Sequence, residues 1–275
     1  YGLAASWQKQ PDHRLHPLKR VWRLLGMYWT VFLLFIPLAC YINPSEYPGS
    51  ISEFFLNFFS LTYSYNGEWW FLRSYILMVF FSPWIIGCMM RGDKQRKSMF
   101  LVAAISYMVW AVLFKTHWMQ DVYVMEVVKD FLHLYFPFVF GVWMFCTKGI
   151  DRLRIKLDTL SANRRRWVIA AGVALPLILC IVLKMMFLKA IAMMPLLPFY
   201  LMLHRAGWVK SVLCYFGHHS TYMWFTHSFF CYYLFHDYIY GLRYPALMFG
   251  ALIVLALISS YVCQWVHDGI ARLFS

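Results

Sequence analysis

Long apolar stretches separated by short polar segments make up most of the chain. A helix needs roughly 20 mainly apolar residues to cross a bilayer. Eight stretches approach that length, at residues 21–42, 70–90, 98–114, 127–146, 167–183, 190–203, 220–240 and 245–265. The pattern therefore predicts an all-α fold, a polytopic transmembrane helix bundle of about eight helices.

The fifth and sixth stretches resemble one long helix, but two lysines separate them. Lys184 and Lys189 at the centre of a bilayer would cost several kcal/mol, so we expect a break between the two stretches. Pro195 and Pro198 interrupt the sixth stretch and weaken its helical pattern.

Composition supports the membrane interpretation. Of the 275 residues, 62% are hydrophobic and only 13% are charged, whereas a soluble domain carries about 25% charged residues. The formal net charge of +13 could indicate nucleic acid, but the basic residues lie in the gaps between apolar stretches and form no stripe on a folded domain. We therefore expect membrane lipids as partners and no nucleic acid.

The distribution of basic residues predicts the orientation. Basic residues favour cytoplasmic loops. With eight spans and a cytoplasmic N-terminus, 19 of the 25 basic residues fall on the cytoplasmic side. Both termini are then cytoplasmic, and we expect a multi-pass protein of the inner (plasma) membrane.

No repeat or low-complexity linker divides the chain, so residues 1–275 are interpreted as a single transmembrane domain. Between the fourth and fifth stretches, residues 148–166 mix apolar and basic positions. This segment fits a helix on the inner membrane surface beside anionic lipid, or equally a solvated loop.

The segment after the first stretch, residues 43–68, is the longest on the predicted outer side. It ends in an aromatic run that continues through Trp69 and Trp70. Such a run is typical of an interfacial aromatic belt, and it also fits a platform on which sugar rings stack. Glu68 and Arg73 lie close enough along the chain to form an ion pair.

Arg20 and Arg23 lie at the predicted cytoplasmic start of the first span. Residues three apart share one face of a helix, and two guanidinium groups on one face can hold a phosphate in bidentate fashion. Ordinary basic anchoring at the membrane surface explains the same pair.

The seventh stretch follows the sequence Phe-Gly-His-His-Ser. Gly217 can end a turn and Ser220 can cap the following helix. His227 lies two turns further, where an imidazole needs a polar partner or a water-filled cavity. Two histidines at an i, i+4 spacing together with a carboxylate would indicate a metal site, and the sequence has no such set. No metal is therefore predicted. These features alone leave enzyme and transporter open.

Several segments together resemble the membrane-bound acyltransferase family 3, which O-acylates cell-surface sugars and related molecules. The resemblance rests on four segments in the same order along nearly the whole chain. They are the Arg-x-x-Arg pair with its helix at residues 18–29, the Trp-Phe-Leu helix start at 69–73 with Pro83, the Phe-rich stretch at 135–141, and the Gly-x-x-Ser…His pattern at 217–227.

The resemblance implies an O-acyltransferase, and acetyl is the expected group. Acetyl-CoA or another acyl-CoA would be the co-substrate, with Arg20 and Arg23 binding its phosphates. The acceptor would be a hydroxyl of a surface polysaccharide or lipid-linked sugar near Glu68, Trp69, Trp70 and Arg73, with His227 in a supporting role. A flippase or transporter of a lipid-linked sugar is the alternative.

The chain departs from the family at its beginning. Family members have about ten spans and usually carry the catalytic histidine in the first, whereas Tyr1 to Leu3 looks like the end of the second. We therefore expect an N-terminally truncated chain. The catalytic residue remains unknown, and residues 1–275 alone should give no turnover.

Overall fold

The computed structural model describes residues 1–9, 16–116, 122–184 and 186–273. Helix makes up 84% of it, and no strand occurs in these ranges. This confirms the predicted all-α class. Arg14, one of the basic residues assigned to the cytoplasmic side, lies outside the described residues.

Thirteen α-helices are present in the described part of the chain. They are α1 (Gly2–Lys9), α2 (Pro17–Ile42), α3 (Ile51–Phe58), α4 (Trp70–Met90), α5 (Asp93–Thr116), α6 (Tyr123–Cys146), α7 (Gly149–Asp158), α8 (Ala162–Val182), α9 (Met186–Met193), α10 (Leu196–Met202), α11 (Gly207–Ser228), α12 (His236–Tyr240) and α13 (Pro245–Leu273). A 3-10 turn (Gly67–Trp69) leads into α4, and a π turn (Phe229–Tyr233) follows α11.

Six helices in these ranges are long and apolar enough to cross a membrane. They are Pro17–Ile42, Gly67–Met90, Asp93–Leu113, Tyr123–Cys146, Ala162–Val182 and Pro245–Arg272. Each overlaps almost completely with one of the predicted stretches, at residues 21–42, 70–90, 98–114, 127–146, 167–183 and 245–265. Several apolar helices of this kind make the chain a multi-pass membrane protein.

The sixth predicted span, residues 190–203, is not one helix. It is divided between α9 and α10, and Pro195 stands at the N-cap of α10. A proline has no amide hydrogen to donate and clashes with the preceding turn, which explains the break. Even so, the two helices retrace α8, because Cys180 Sγ contacts the Lys189 carbonyl at 3.7 Å and Gly172 faces the ring of Phe199.

The seventh predicted span, residues 220–240, is wrong at both ends. Helix α11 ends at Ser228, and the π turn and the short helix α12 follow. Helix α11 starts at Gly207 and runs through Gly217 without interruption. Ser220 lies inside this helix, and its hydroxyl donates to the Gly217 carbonyl at 2.8 Å. The prediction that Ser220 caps a new helix is therefore wrong.

The chain forms two compact units, each built from two separate stretches. Unit 1 comprises Tyr1–Pro17 and Leu77–Arg205, and unit 2 comprises Leu18–Ile76 and Ala206–Ser275. The core of unit 1 joins α1, α5 and α6 to the second half of α4, through residues such as Ala4, Ile86, Ala103 and Val139.

Unit 2 has an aromatic core. Tyr28, Phe32, Trp69, Phe225 and Phe229 are all nearly inaccessible to solvent and pack at its centre. Each large ring buries 150–250 Å² of surface, so rings of this kind dominate the packing energy of a core.

Helix α7 covers part of residues 148–166, for which a helix on the membrane surface and a solvated loop were both predicted; its position on the membrane surface stays a prediction. Gly149–Asp158 is helical, with Ile150 and Leu157 buried and the intervening basic residues exposed. A solvated loop is therefore wrong for this part of the segment, and an amphipathic helix is present.

Candidate active site

The segment between α2 and α4, residues 43–69, folds back into unit 2; we call it the re-entrant segment. Tyr28 Oη donates to the Asn57 carbonyl at 2.5 Å, and Trp29 Nε1 donates to the Phe58 carbonyl at 2.8 Å. Tyr28 precedes the last residue of α2, Ile42, by 14 positions, which corresponds to about 20 Å along a helix. The segment thus returns to the middle of α2.

Side chains satisfy the polar groups of this returning backbone. Asn57 Nδ2 donates to the Glu53 carbonyl and to Ser64 Oγ, both at 2.9 Å, and its Oδ1 accepts from the Tyr65 amide. Tyr47 Oη donates to the Tyr65 carbonyl at 2.8 Å. Irregular backbone at membrane depth is tolerated where protein buries and satisfies it in this way.

The Tyr65 hydroxyl is a fixed donor in this network. Burial, together with the Glu53 carboxylate, raises the pKa of Tyr65 to about 12. The phenol therefore keeps its proton at physiological pH and donates it to the Pro48 carbonyl.

The turn at residues 66–69 is attached by hydrogen bonds to the end of α11 and the π turn. These bonds are a reciprocal pair between Asn66 and Ser228 side chains (2.7 and 2.9 Å), the Gly67 amide to Tyr233 Oη (2.7 Å), and Trp69 Nε1 to the Phe225 carbonyl (3.2 Å). Asn66 and Ser228 are fully buried. The turn that carries Glu68 is thus fixed against the stretch of chain that carries His227.

His227 is half-buried one residue before the α11 terminus. Its Nδ1 lies 2.7 Å from the Trp224 carbonyl oxygen. A carbonyl only accepts, so Nδ1 carries a hydrogen and the neutral ring has its lone pair on Nε2. The ring can therefore accept a proton at Nε2.

The π turn begins directly after α11. The Leu234 amide donates to the Phe229 carbonyl, five residues back, at 2.8 Å. One extra residue per turn displaces the following backbone, and such turns often occur at functional sites. Here the displacement places Tyr233 Oη against the Gly67 amide.

Of the predicted acceptor residues, Trp69 is buried. Only 1% of it is exposed, and the rings of Tyr28, Phe32 and Phe229 cover it at centroid distances of 4.8, 6.3 and 5.6 Å. An aromatic belt or sugar platform needs an open ring face, so both interpretations are wrong for Trp69. Trp70 is half-buried.

Arg73 is buried rather than presented at the surface. Its Nη1 donates to the Leu61 carbonyl at 2.9 Å, and its guanidinium lies 5.0 Å from the centre of the Tyr63 ring. The side chain thus links α4 to the re-entrant segment. The ion pair with Glu68 stays a prediction.

Glu68 is half-buried at the start of α4. Its amide donates to Asn66 Oδ1 at 3.1 Å, which caps the 3-10 turn. The turn that carries Glu68 is held against Ser228 and Tyr233 by the hydrogen bonds of Asn66 and Gly67.

An open pocket of about 330 Å³ lies between α2, α4 and α11 in unit 2. It is lined by Leu24, Phe71, Leu72, Tyr75, Ser220, Thr221 and Trp224. On α11, Ser220, Trp224 and His227 follow at spacings of four and three residues and so share one face. Most of this lining could not be predicted from the sequence, because helical packing brings together residues of three distant segments.

Arg20 and Arg23 lie in the first two turns of α2, before the pocket residue Leu24. Arg20 precedes the lining residue Leu24 by four positions and so shares its face of α2. Neither arginine forms an ion pair or side-chain hydrogen bond with another described residue. Both guanidinium groups are therefore available to an anion.

A family model of the acyltransferase domain matches residues 5–265. This match covers nearly the whole chain. The chain belongs to acyltransferase family 3. No curated protein and no solved structure matches it.

Family membership and the apolar helices together make this protein a membrane acyltransferase. Within the acyltransferase, unit 2 contains every site residue that the sequence analysis selected. The structure connects the basic start of α2, the pocket and His227 through shared helix faces, and connects Glu68 to the same region through the turn at residues 66–69.

Proposed function

We propose that this acyltransferase moves an acyl group, most simply acetyl, from acyl-CoA to a hydroxyl of a surface polysaccharide or lipid-linked sugar. The observation that carries the proposal is the pocket in unit 2. Within the described residues, the unpaired Arg20 lies one turn before its lining residue Leu24, the unpaired Arg23 lies beside Leu24 in sequence, and His227 lies one turn after its lining residue Trp224.

The arginines suit the donor's phosphates. A guanidinium group binds phosphate with two parallel hydrogen bonds, and Arg20 and Arg23 have no competing acid among the described residues. The adjoining pocket is lined mainly by apolar and aromatic side chains, with three hydroxyls from Tyr75, Ser220 and Thr221. Such a lining suits a long, weakly polar arm that ends in a thioester.

The reaction exchanges one ester for another. The acceptor oxygen attacks the thioester carbonyl, a new C–O bond forms, the C–S bond breaks, and CoA leaves as a thiol after taking up the proton released by the hydroxyl. His227 can assist through Nε2, which is free to accept that proton and return it to the leaving sulfur. Glu68 and Trp70, which remain partly exposed, are the proposed acceptor contacts.

The alternative, a flippase for a lipid-linked sugar, would use the same residues without an acyl donor. Membership of an acyltransferase family favours the enzyme. Binding of the donor itself separates the two functions, because a flippase has no need of CoA.

The test is equilibrium binding of labelled acetyl-CoA to the purified chain, which reports on the donor site without requiring turnover. The double variant Arg20→Gln/Arg23→Gln removes two charged donors, each worth 1.5–3 kcal/mol, so affinity should fall at least about tenfold. Filling the pocket with Leu24→Trp should also weaken binding while leaving both arginines in place.

Two controls match these changes. Lys19→Gln/Lys210→Gln removes the same charge from exposed positions of unit 2, and Leu18→Trp adds the same bulk at an exposed site. Both should bind acetyl-CoA normally. No saturable binding by the unmodified chain, or an equal loss in the lysine control, would refute the donor site.

The acceptor is tested by acetyl transfer to surface glycan in membranes that contain the enzyme. His227→Gln should lower the transfer rate and change the pH profile of that rate. It should leave acetyl-CoA affinity unaltered, because His227 Nε2 is proposed to transfer a proton and not to bind the phosphates. Unchanged transfer by this variant would remove His227 from the proposal.

A further inference from the structure

A second open cavity, of about 830 Å³, lies in unit 1 and has no part in the proposed transfer site. It is formed by α7, the start of α8 and the end of α10, and we call it the basic groove. Its lining residues are Arg154, Leu157, Asp158, Arg165, Arg166, Ile169, Leu201, Met202, Leu203 and His204.

The packing of α8 with α9 and α10 builds this groove. Cys180 contacts Lys189 near one end of α8, and Gly172 faces Phe199 further along. The chain therefore returns along α8 until residues 201–204 lie beside Ile169 and Arg166. Arg165 then ties α8 to the end of α7 through a 2.8 Å ion pair with Asp158.

The groove carries an excess of positive charge. Asp158 compensates Arg165, whereas Arg154 and Arg166 form no ion pair with any residue in the described ranges. Both side chains are exposed. An anion with phosphate geometry matches this arrangement, since each guanidinium offers two parallel donors.

Apart from His204, the rest of the lining is apolar. Leu157, Ile169 and the run from Leu201 to Leu203 supply five hydrophobic side chains. Arg165 and Arg166 stand in the first turns of α8, which is long and apolar enough to span the bilayer. The groove thus lies where such a helix emerges from the membrane, which is the level of lipid phosphates.

We propose that the basic groove binds an anionic glycerophospholipid, with its phosphate on Arg154 and Arg166 and its acyl chains on the apolar residues. The ligand combines an anionic head with an apolar body, as the lining does. A soluble phosphate or nucleotide would use the arginines and leave five apolar side chains without a partner. The groove faces the cytosolic leaflet under the orientation that the basic residues predict.

The test is native mass spectrometry of the full chain in mild detergent, titrated with phosphatidylglycerol or phosphatidylcholine. We expect retained phosphatidylglycerol adducts and few phosphatidylcholine adducts. In Arg154→Gln/Arg166→Gln, phosphatidylglycerol retention should fall about tenfold, because each arginine near an anionic lipid surface adds to the electrostatic part of the binding free energy.

The matched control is Arg152→Gln/Arg164→Gln, which removes two exposed arginines from α7 and α8 outside the groove. It should retain phosphatidylglycerol, and an equal loss would show that general surface charge holds the lipid and would overturn the site. Equal binding of both lipids by the unmodified chain would also overturn it, independently of whether any variant folds.

Competition separates the possible sources of phosphate. Inorganic phosphate or ADP that displaces phosphatidylglycerol at low concentration would identify a site for soluble anions and contradict the proposal. Acetyl-CoA binding in the groove double variant should be unchanged, so this lipid site and the donor site in unit 2 can fail separately.

Discussion

Single side chains show how burial changes the meaning of a motif. A run of tyrosines and tryptophans in an outer segment is typical of a membrane interface. In this protein two backbone carbonyls, those of Asn57 and Phe58, accept hydrogen bonds from the middle of α2 and draw the run inward. Trp69 then becomes part of the aromatic core of unit 2.

Replacing Trp69 should therefore reduce stability rather than acceptor affinity alone. Trp69→Ala leaves a cavity among three aromatic rings and should lower the free energy of unfolding by about 3–5 kcal/mol. Trp265→Ala removes the same side chain from a position that is 78% exposed and should have little effect. Thermal unfolding in detergent measures both, and equal melting temperatures would contradict the packing described.

The sequence indicated which residues carry charge, but not which side chains contact each other. Asn66 and Gly67 form a recognisable turn dipeptide. Their partners Ser228 and Tyr233 lie more than 160 positions away, and no periodicity within either segment encodes that pairing. The polar Ser228 within an apolar stretch was the one local signal of a buried partner.

Among the elements, long uniform helices were predicted well and interrupted ones poorly. Helix α4 has the same bounds, Trp70 to Met90, in the prediction and in the structure, because its apolar run ends where a basic segment begins. Helix α11 was predicted 13 residues too short at its start, since two histidines, a lysine and two glycines dilute the apolar pattern of residues 207–219. Helical hydrogen bonding continued through them because none of these residues prevents it.

Helices α8 and α10 approach each other so closely that the residue at position 172 can have no side chain. A Cβ at Gly172 would clash with the Phe199 ring, so Gly172→Ala should destabilise unit 1 by about 1–3 kcal/mol through overpacking. A Cβ at Gly250 in α13 meets nothing within 4 Å.

Gly250→Ala is therefore the matched control and should be neutral or stabilising by up to about 1 kcal/mol, because alanine favours helix. Denaturant titration of both variants measures the difference. A stabilised Gly172→Ala would mean that α8 and α10 do not pack as described.

For the molecule as a whole, the sequence predicted the all-α class, and the two-unit organisation emerged only with the structure. Each unit combines an early and a late stretch of chain, and the boundary falls inside α4. Continuous apolar helices give no local signal for such a division. The orientation in the membrane still rests on the distribution of basic residues.

Cysteine labelling in intact cells tests that orientation. With the parent chain and its seven free cysteines as background, Glu46→Cys should add labelling by an impermeant maleimide. Arg164→Cys should add it only after the membrane is opened, because its basic cluster belongs on the cytosolic side. Labelling of Arg164→Cys in unopened cells would reverse the topology.

The re-entrant segment has a consequence for how members of this family can diverge. Surface loops usually tolerate insertions and deletions, but a residue gained or lost between Tyr47 and Trp69 would shift one anchored group out of register with its partner. We expect indels to be confined to other connections. Differences in acceptor preference would then arise by substitution at positions such as Glu68 and Trp70, within a segment of constant length.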